Sequence, residues 1–573
     1  MTRLADVRCV PAPSRGGGPR GGYWWVCPGN PFYALSAMLV CLGLWVSFGS
    51  QAEATQSWAL LVGMAGYTLL LAATASLLVR FVGAWDDART VMLLVVLMIL
   101  ATSVTFDVVL ARDPGTGVLC YLVGLAAAVV ISEGMLRGVR LALPPLFRVP
   151  YYLSLALFFL YPAAIAPLVA RPKGEALSWA LFGFSPAAGL VCLTLVPAVR
   201  RGRGYVRDNG SPWRWAWYPW TLFGVLGFAV VARSALLCWS MHHLAGAATE
   251  PYIFGFYFLA PFLTAVGVVL LEIGIVEGAS GATLAALAVP PVMVVLAMVG
   301  HRPEGVYQGF LGQFAGRLGG TPLYLTVVAS AAFYGYAALR RVPLAVGAFA
   351  GAVGALAFVA PATLDLAGLT SPRAGPLVAV AAVLLGSGLR RRDAWRCLLG
   401  AFCLIASVTI VVPGAGAGAG ANRVPIAFHL AQVAALVVGA VFRDAVGRAL
   451  RVVGATMALV ACLAALSGRY EAPAGIPAWA IDAYPLVMAG LVAGYGYLLG
   501  ERAALGSAGV IASCWVVGLA GRGYGSLRHV VTGLDYIAVG MLLFALAVAT
   551  SLARAGVPLW RGGTRGKVPE PPV

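Results

Sequence analysis

The chain has 573 residues, 61% hydrophobic and 10% charged, with a mean hydropathy of +0.89 and a formal charge of +18. This excludes an ordinary soluble protein, whose solvated surface needs roughly a quarter of its residues charged. Nucleic acid is not the expected partner either, because the basic residues sit in short connections between apolar runs, as in the cytoplasmic loops of membrane proteins.

Apolar runs near ~20 residues, long enough to cross ~30 Å of hydrocarbon as helix, recur from end to end. The expected fold is an all-α, polytopic membrane helical bundle with no soluble domain. Residues 1–30, with Arg3, Arg8, Arg15 and Arg20 in a Gly/Pro-rich stretch, read as a disordered cytoplasmic tail. Residues 31–555 form the multi-pass domain and 556–573 a second cytoplasmic tail. The run 31–49 is too long, and too far from the N-terminus, for the core of a signal peptide.

Spans are expected at 31–49, 57–79, 90–110, 116–132, 149–170, 177–199, 219–241, 252–272, 282–300, 321–339, 342–360, 375–389, 397–413, 425–442, 450–467, 479–499, 505–520 and 534–553. That makes eighteen, several short enough that sixteen is acceptable. Placing alternate connections on alternate sides puts 28 Lys and Arg on one side and 10 on the other, with Arg233 inside a span. The asymmetry predicts both termini in the cytoplasm. The one inside connection with no basic residue is the turn 272–281. Only Lys173 and Lys567 are lysines. With abundant Ala and Gly, this suggests a high-GC bacterial coding sequence and a bacterial inner membrane.

The strongest cytoplasmic markers are Arg200, Arg201 and Arg203 with Arg207 and Arg214, then Arg390–Arg392 with Arg396, then Arg443, Arg448 and Arg451. They are expected to meet lipid headgroups. Pro212–Trp220, PWRWAWYPW, reads as an interfacial aromatic belt. Gly414–Gly420 is low complexity, and alanine at 419 rules out a dinucleotide fingerprint. The ten cysteines contain no CxxC pair, so small apolar packing residues are expected rather than disulfides or zinc. No cofactor is implied, and membrane lipids are the expected partners.

An ionisable residue within the hydrocarbon is a functional candidate by default. Asp107 falls in span three, Arg233 in span seven, His429 in span fourteen and Asp535 at the start of span eighteen. His242 and His243 follow Arg233 toward the outer surface. An Asp107–Arg233 pair would neutralise both charges. The functional alternative is an outer cavity in which Arg233 contacts an anionic substrate and Asp107 or a histidine titrates. Glu272 and Glu277 lie at the inner end of span eight, as interfacial carboxylates or as coupling carboxylates. Beside them, Gly278, Ser280, Gly281 and Pro290–Pro291 are expected to break a helix, as in secondary transporters.

The longest outer connection, His301–Gly320, carries Tyr307, Phe310, Leu311 and Phe314 at helical spacing. It should form a short interfacial helix. His301, Arg302, Glu304 and Arg317 flank it and offer a second candidate site, where arginines would hold a lipid-linked diphosphate sugar and His301 or Glu304 would act as acid or base.

Three functions follow. The first is a secondary transporter or flippase of a polar or lipid-linked substrate. The second is a membrane-embedded transferase, polymerase or ligase acting on lipid-linked glycans. The third is a non-catalytic assembly subunit.

Overall fold

A computed structural model describes residues 31–48, 54–170, 174–244, 253–302, 305–411, 420–467, 477–529, 533, 535–537, 539–541, 543, 544 and 547. The tails expected at 1–30 and 556–573 lie outside these residues. Helices make up 84% of the structure and the described residues hold no strand, so the all-α bundle is established. The chain divides into two units, 1–376 and 377–573.

The first unit contains α1 (Pro31–Phe48), α2 (Ala54–Leu77), α3 (Trp85–Arg112), α4 (Pro114–Val139), α5 (Pro145–Ala170), α6 (Gly174–Leu193), α7 (Val196–Arg201), α8 (Trp220–Leu244), α9 (Ala260–Glu277), α10 (Ser280–Met298), α11 (Gly305–Leu318), α12 (Pro322–Leu339) and α13 (Ala345–Ala355). The chain continues with α14 (Ala374–Arg391), which enters the second unit. There follow α15 (Ala394–Val411), α16 (Gly420–Val441), α17 (Ala445–Leu466), α18 (Ala478–Leu499) and α19 (Arg502–Arg528).

Local chemistry sets many of the ends. Asp113 accepts from the Gly115 N–H (3.0 Å) with Pro114 opening α4, and the Thr321 hydroxyl accepts from the Tyr324 N–H with Pro322 opening α12. Both satisfy N-terminal donors that a helix cannot pair internally. Gly278 closes α9 in the left-handed region (φ 63°), where a side chain would be strained.

Among the described residues, fourteen helices are long and apolar enough to cross a membrane, fewer than the sixteen to eighteen expected. Three of the missing four have a structural account. The expected first and sixteenth spans are helices of 18 and 22 residues, α1 and α18. The eleventh is helical only over the 11 residues of α13, about 16 Å at 1.5 Å per residue. Beyond it the chain runs on without helix until Pro361, whose carbonyl accepts from the Thr321 N–H at 2.8 Å. Past α13 the chain is therefore irregular and is tied to the start of α12. Arg373 supplies part of the missing hydrogen bonding, donating to the Leu356 carbonyl (2.8 Å) and to that of Val359. The eighteenth span falls mostly outside the described residues.

The expected break at Pro290–Pro291 does not occur, and α10 runs through both prolines. Pro291 has no N–H for the Leu287 carbonyl four residues back. The Tyr334 hydroxyl on α12 donates to that carbonyl instead, at 2.8 Å, as neighbouring helices do for prolines in membrane spans.

The connections of the first unit sort onto two ends. At one end Trp85 packs on Trp213 (5.5 Å between ring centroids), and the Tyr218 hydroxyl donates to the Ala142 carbonyl (2.7 Å). Arg203 pairs with Glu277, and Arg200 reaches Tyr336 (3.3 Å). At the other end Trp179 packs on Phe310 and Phe314, Phe182 on Phe254, and Thr321 bonds the chain at 361–363. The alternation read from the sequence is thus reproduced from 80 to 373. The short helix expected in the connection 301–320 is α11, but its Tyr307, Phe310, Leu311 and Phe314 are buried in the protein core.

In the second unit, small residues bring the helices together. A Cβ at Gly447 would lie 1.9 Å from the Phe442 carbonyl oxygen, and one at Gly454 would lie 2.7 Å from the Leu436 side chain. Arg451, expected at headgroups, is instead buried. It bonds the Gly439 carbonyl (2.7 Å) and Glu501 (3.0 Å), satisfying charge and helix end together.

Candidate functional site

Asp107 and Arg233, 126 residues apart, meet inside the first unit. Arg233 Nη1 donates to Asp107 Oδ2 at 2.5 Å and Nη2 to Oδ1 at 2.9 Å, with both side chains 1% exposed. The Tyr121 hydroxyl of α4 donates to Asp107 and accepts from Arg233 Nη2 at 3.1 Å. Phe106 and Phe159 pack edge-on to Tyr121, or nearly so. A lone charge here would be costly, and the two-bond pair makes the cluster electrically neutral. Three elements converge because α3 packs on both α4 and α8.

Arg233 also lines a cleft of ≈ 580 Å³ with Met38, Leu97, Val104, Phe158 and Phe228. Its Nε–H is buried and has no acceptor among the described residues. Apart from Arg233 and Thr105, the lining carries no polar side chain, apart from the thiol of Cys41.

Glu272 and Glu277 form a second cluster. Glu272 is fully buried and holds Arg200 (Nε–Oε2 3.0 Å, Nη2–Oε1 3.3 Å), Arg340 (3.1 Å) and the Tyr336 hydroxyl. Glu277 pairs with Arg203. The turn that lacks basic residues is thus ringed by arginines from two neighbouring connections. Sequence spacing did not reveal this, because the arginines lie more than 60 residues away.

At the opposite end, the two ring nitrogens of His301 lie 2.7 Å from the Tyr307 hydroxyl and 3.1 Å from the Leu364 carbonyl. Burial pushes the Tyr307 phenol up to about 12. The Arg302 carbonyl accepts from Gln308 (2.7 Å). Arg317 lies over the Trp179 ring at 5.2 Å and pairs with Glu175 at 3.5 Å. These contacts engage His301 and Arg317 separately. Glu304 lies outside the described residues, as do the side chains of His242 and His243 on α8. His429 belongs to the second unit, beside Gln432 (3.4 Å) and Tyr484 (3.5 Å). Asp535 pairs with Arg528 at 3.3 Å and accepts from the Tyr524 hydroxyl. Among the described residues, no three His, Cys, Asp or Glu side chains gather as a metal site would require.

Sequence reasoning found Asp107, Arg233, Glu272 and Glu277, took Arg200 and Arg203 for headgroup contacts, and missed Arg340 and the tyrosines. Tyr336, in the last turn of α12, stands four residues before Arg340 at its C-cap, a usable signal; Tyr121 gives none.

Fold and charge placement define a multi-pass, all-α integral membrane protein with sparse, neutralised intramembrane charges. No family model, curated protein or solved structure matches the chain.

Proposed function

We propose that the chain is a membrane transporter, of the secondary-transporter or flippase kind, acting on an amphipathic or lipid-linked substrate. The supporting observation is the apolar cleft that reaches Arg233. An apolar tail fits its lining, and Arg233, neutralised by Asp107, brings the one charged side chain to it. The arginine distribution supports a bacterial inner membrane with both termini in the cytoplasm.

Proteoliposomes of the full chain carrying head-labelled phospholipids and polyprenyl phosphates test the reading. Label movement between leaflets should exceed that of empty liposomes and fall at least about ten-fold in Arg233→Met. Movement equal to empty liposomes for every lipid removes the proposal.

A non-catalytic assembly subunit is the second reading. The fully buried Glu272, held by three partners, favours it, because there the charges serve to join helices. Under that reading the variant alters partner co-purification and nothing moves.

A further inference from the structure

The aromatic loop 212–220 roofs a separate cavity at the arginine-rich end of the first unit. Its lining includes Arg89, Ser132, Tyr151, Trp213 and Trp217, with an apolar floor at Met92, Val96 and Leu136. The cavity volume is ≈ 70 Å³, against the ~10–15 Å³ that one water centre needs.

Its polar groups are donors in surplus. Arg89 stands over the Trp217 ring at 5.8 Å and forms no ion pair with a carboxylate among the described residues. Asp86 and Asp87, one turn earlier on α3, are not among the lining residues. The indole N–H of Trp213 is buried and has no acceptor among the described residues. Ser132 and Tyr151, 1% and 3% exposed, share one hydrogen bond of 2.8 Å. Two hydroxyls making one mutual bond leave one hydrogen to give. Arg89, Trp213 and the Ser132–Tyr151 pair therefore belong to a lining that, among the described residues, holds no carboxylate. Such a set is complementary to an anion with several acceptor oxygens.

We propose that this cavity binds the phosphate of an anionic phospholipid. Arg89, Trp213 and the Ser132–Tyr151 pair hold the oxygens, and the first acyl carbons lie on Met92, Val96 and Leu136. The location supports a lipid over a free ion: Arg89 stands near the start of α3 and Trp213 in the loop before α8, and the apolar floor lies on α3 and α4. A choline headgroup brings its own cation beside Arg89 and finds no carboxylate to meet it. The site is independent of the cleft at Arg233 and does not require that the chain transport anything.

The test is native mass spectrometry of the full chain in neutral detergent, titrated with phosphatidylglycerol, phosphatidylcholine of the same chains, and inorganic phosphate. One phosphatidylglycerol per chain should be retained at concentrations where phosphatidylcholine is not. Arg89→Gln should weaken retention at least about ten-fold, as expected for loss of a charge-assisted contact. Trp213→Phe, which keeps an aromatic ring but removes the N–H with part of the indole, should weaken it several-fold. Arg201→Gln, which removes an exposed charge from the same end, should leave it unchanged. Equal retention in Arg89→Gln and Arg201→Gln overturns the proposal. So does undiminished binding by Trp213→Phe, equal binding of the two lipids, or displacement of the lipid by inorganic phosphate.

Discussion

Arg200, next to last in α7, and Glu272, five residues before the end of α9, form a two-bond ion pair across 72 residues of sequence. Glu272 is wholly buried, whereas the Arg200 side chain is 52% exposed. Glu272→Ala leaves Arg200 and Arg340 facing a vacated apolar pocket. Because both arginines keep access to solvent, the cost should be about 1–3 kcal/mol, below that of a fully buried pair. Thermal unfolding in detergent measures it. Arg340→Gln should cost less, since Arg200 remains.

Asp107 and Arg233 should behave differently, because neither can reach water. Removing one partner strands a buried charge and should cost about 3–5 kcal/mol. The double variant Asp107→Leu with Arg233→Met should be more stable than either single variant, since no charge is left unpaired and Tyr121 keeps the Ser103 carbonyl, 3.1 Å away. A double-mutant cycle on unfolding midpoints checks this. Strict additivity would show that the pair is not coupled.

The two ends of the first unit can be assigned to sides of the membrane. In a cysteine-free background, Gly281→Cys and Ala367→Cys place thiols at exposed positions on opposite ends. A membrane-impermeant maleimide applied to intact cells should label Ala367→Cys and spare Gly281→Cys until the cells are opened. The reverse pattern would invert the orientation read from the arginines.

Asp113 lies between α3 and α4, outside the spans. Its hydrogen bond from Thr116 (2.5 Å) holds the carboxyl below its ordinary value. A depressed folded value contributes stability that is present above the unfolded value, near ~3.9, and lost as pH falls through the folded one. Amide exchange at the start of α4 should therefore accelerate as pH drops below about 4, relative to the α12 start capped by Thr321. Asp113→Asn should remove that acid dependence.

Gly210 sits at φ 77° in the loop before α8, where a Cβ would lie 2.3 Å from the Arg140 carbonyl oxygen. Gly210→Ala should cost about 1–3 kcal/mol from backbone strain, with the clash in addition. Gly204→Ala, in the same connection with nothing within 4 Å of its Cβ, should be nearly silent. Melting temperatures of the two variants make the comparison.

The sequence by itself determined the solvent and the all-α class. Apolar runs long enough for the hydrocarbon, with arginines between them, permit little besides a helical bundle, since backbone groups in lipid must bond internally. It also picked out Asp107, Arg233, Glu272 and Glu277, because charges in such a setting are rare. What it could not determine was who meets whom. That Tyr121 bridges Asp107 and Arg233, and that Tyr334 satisfies the carbonyl freed by Pro291, are decided by which helix faces pack together. Neither contact leaves a local sequence signature, because the partners lie up to 126 residues apart and side-chain periodicity reports burial rather than neighbours. The break in span eleven was hidden for the same reason. Prolines mark missing donors along the chain, but that α10 passes through Pro290 and Pro291, with Tyr334 bonding the Leu287 carbonyl, only the packed helices reveal.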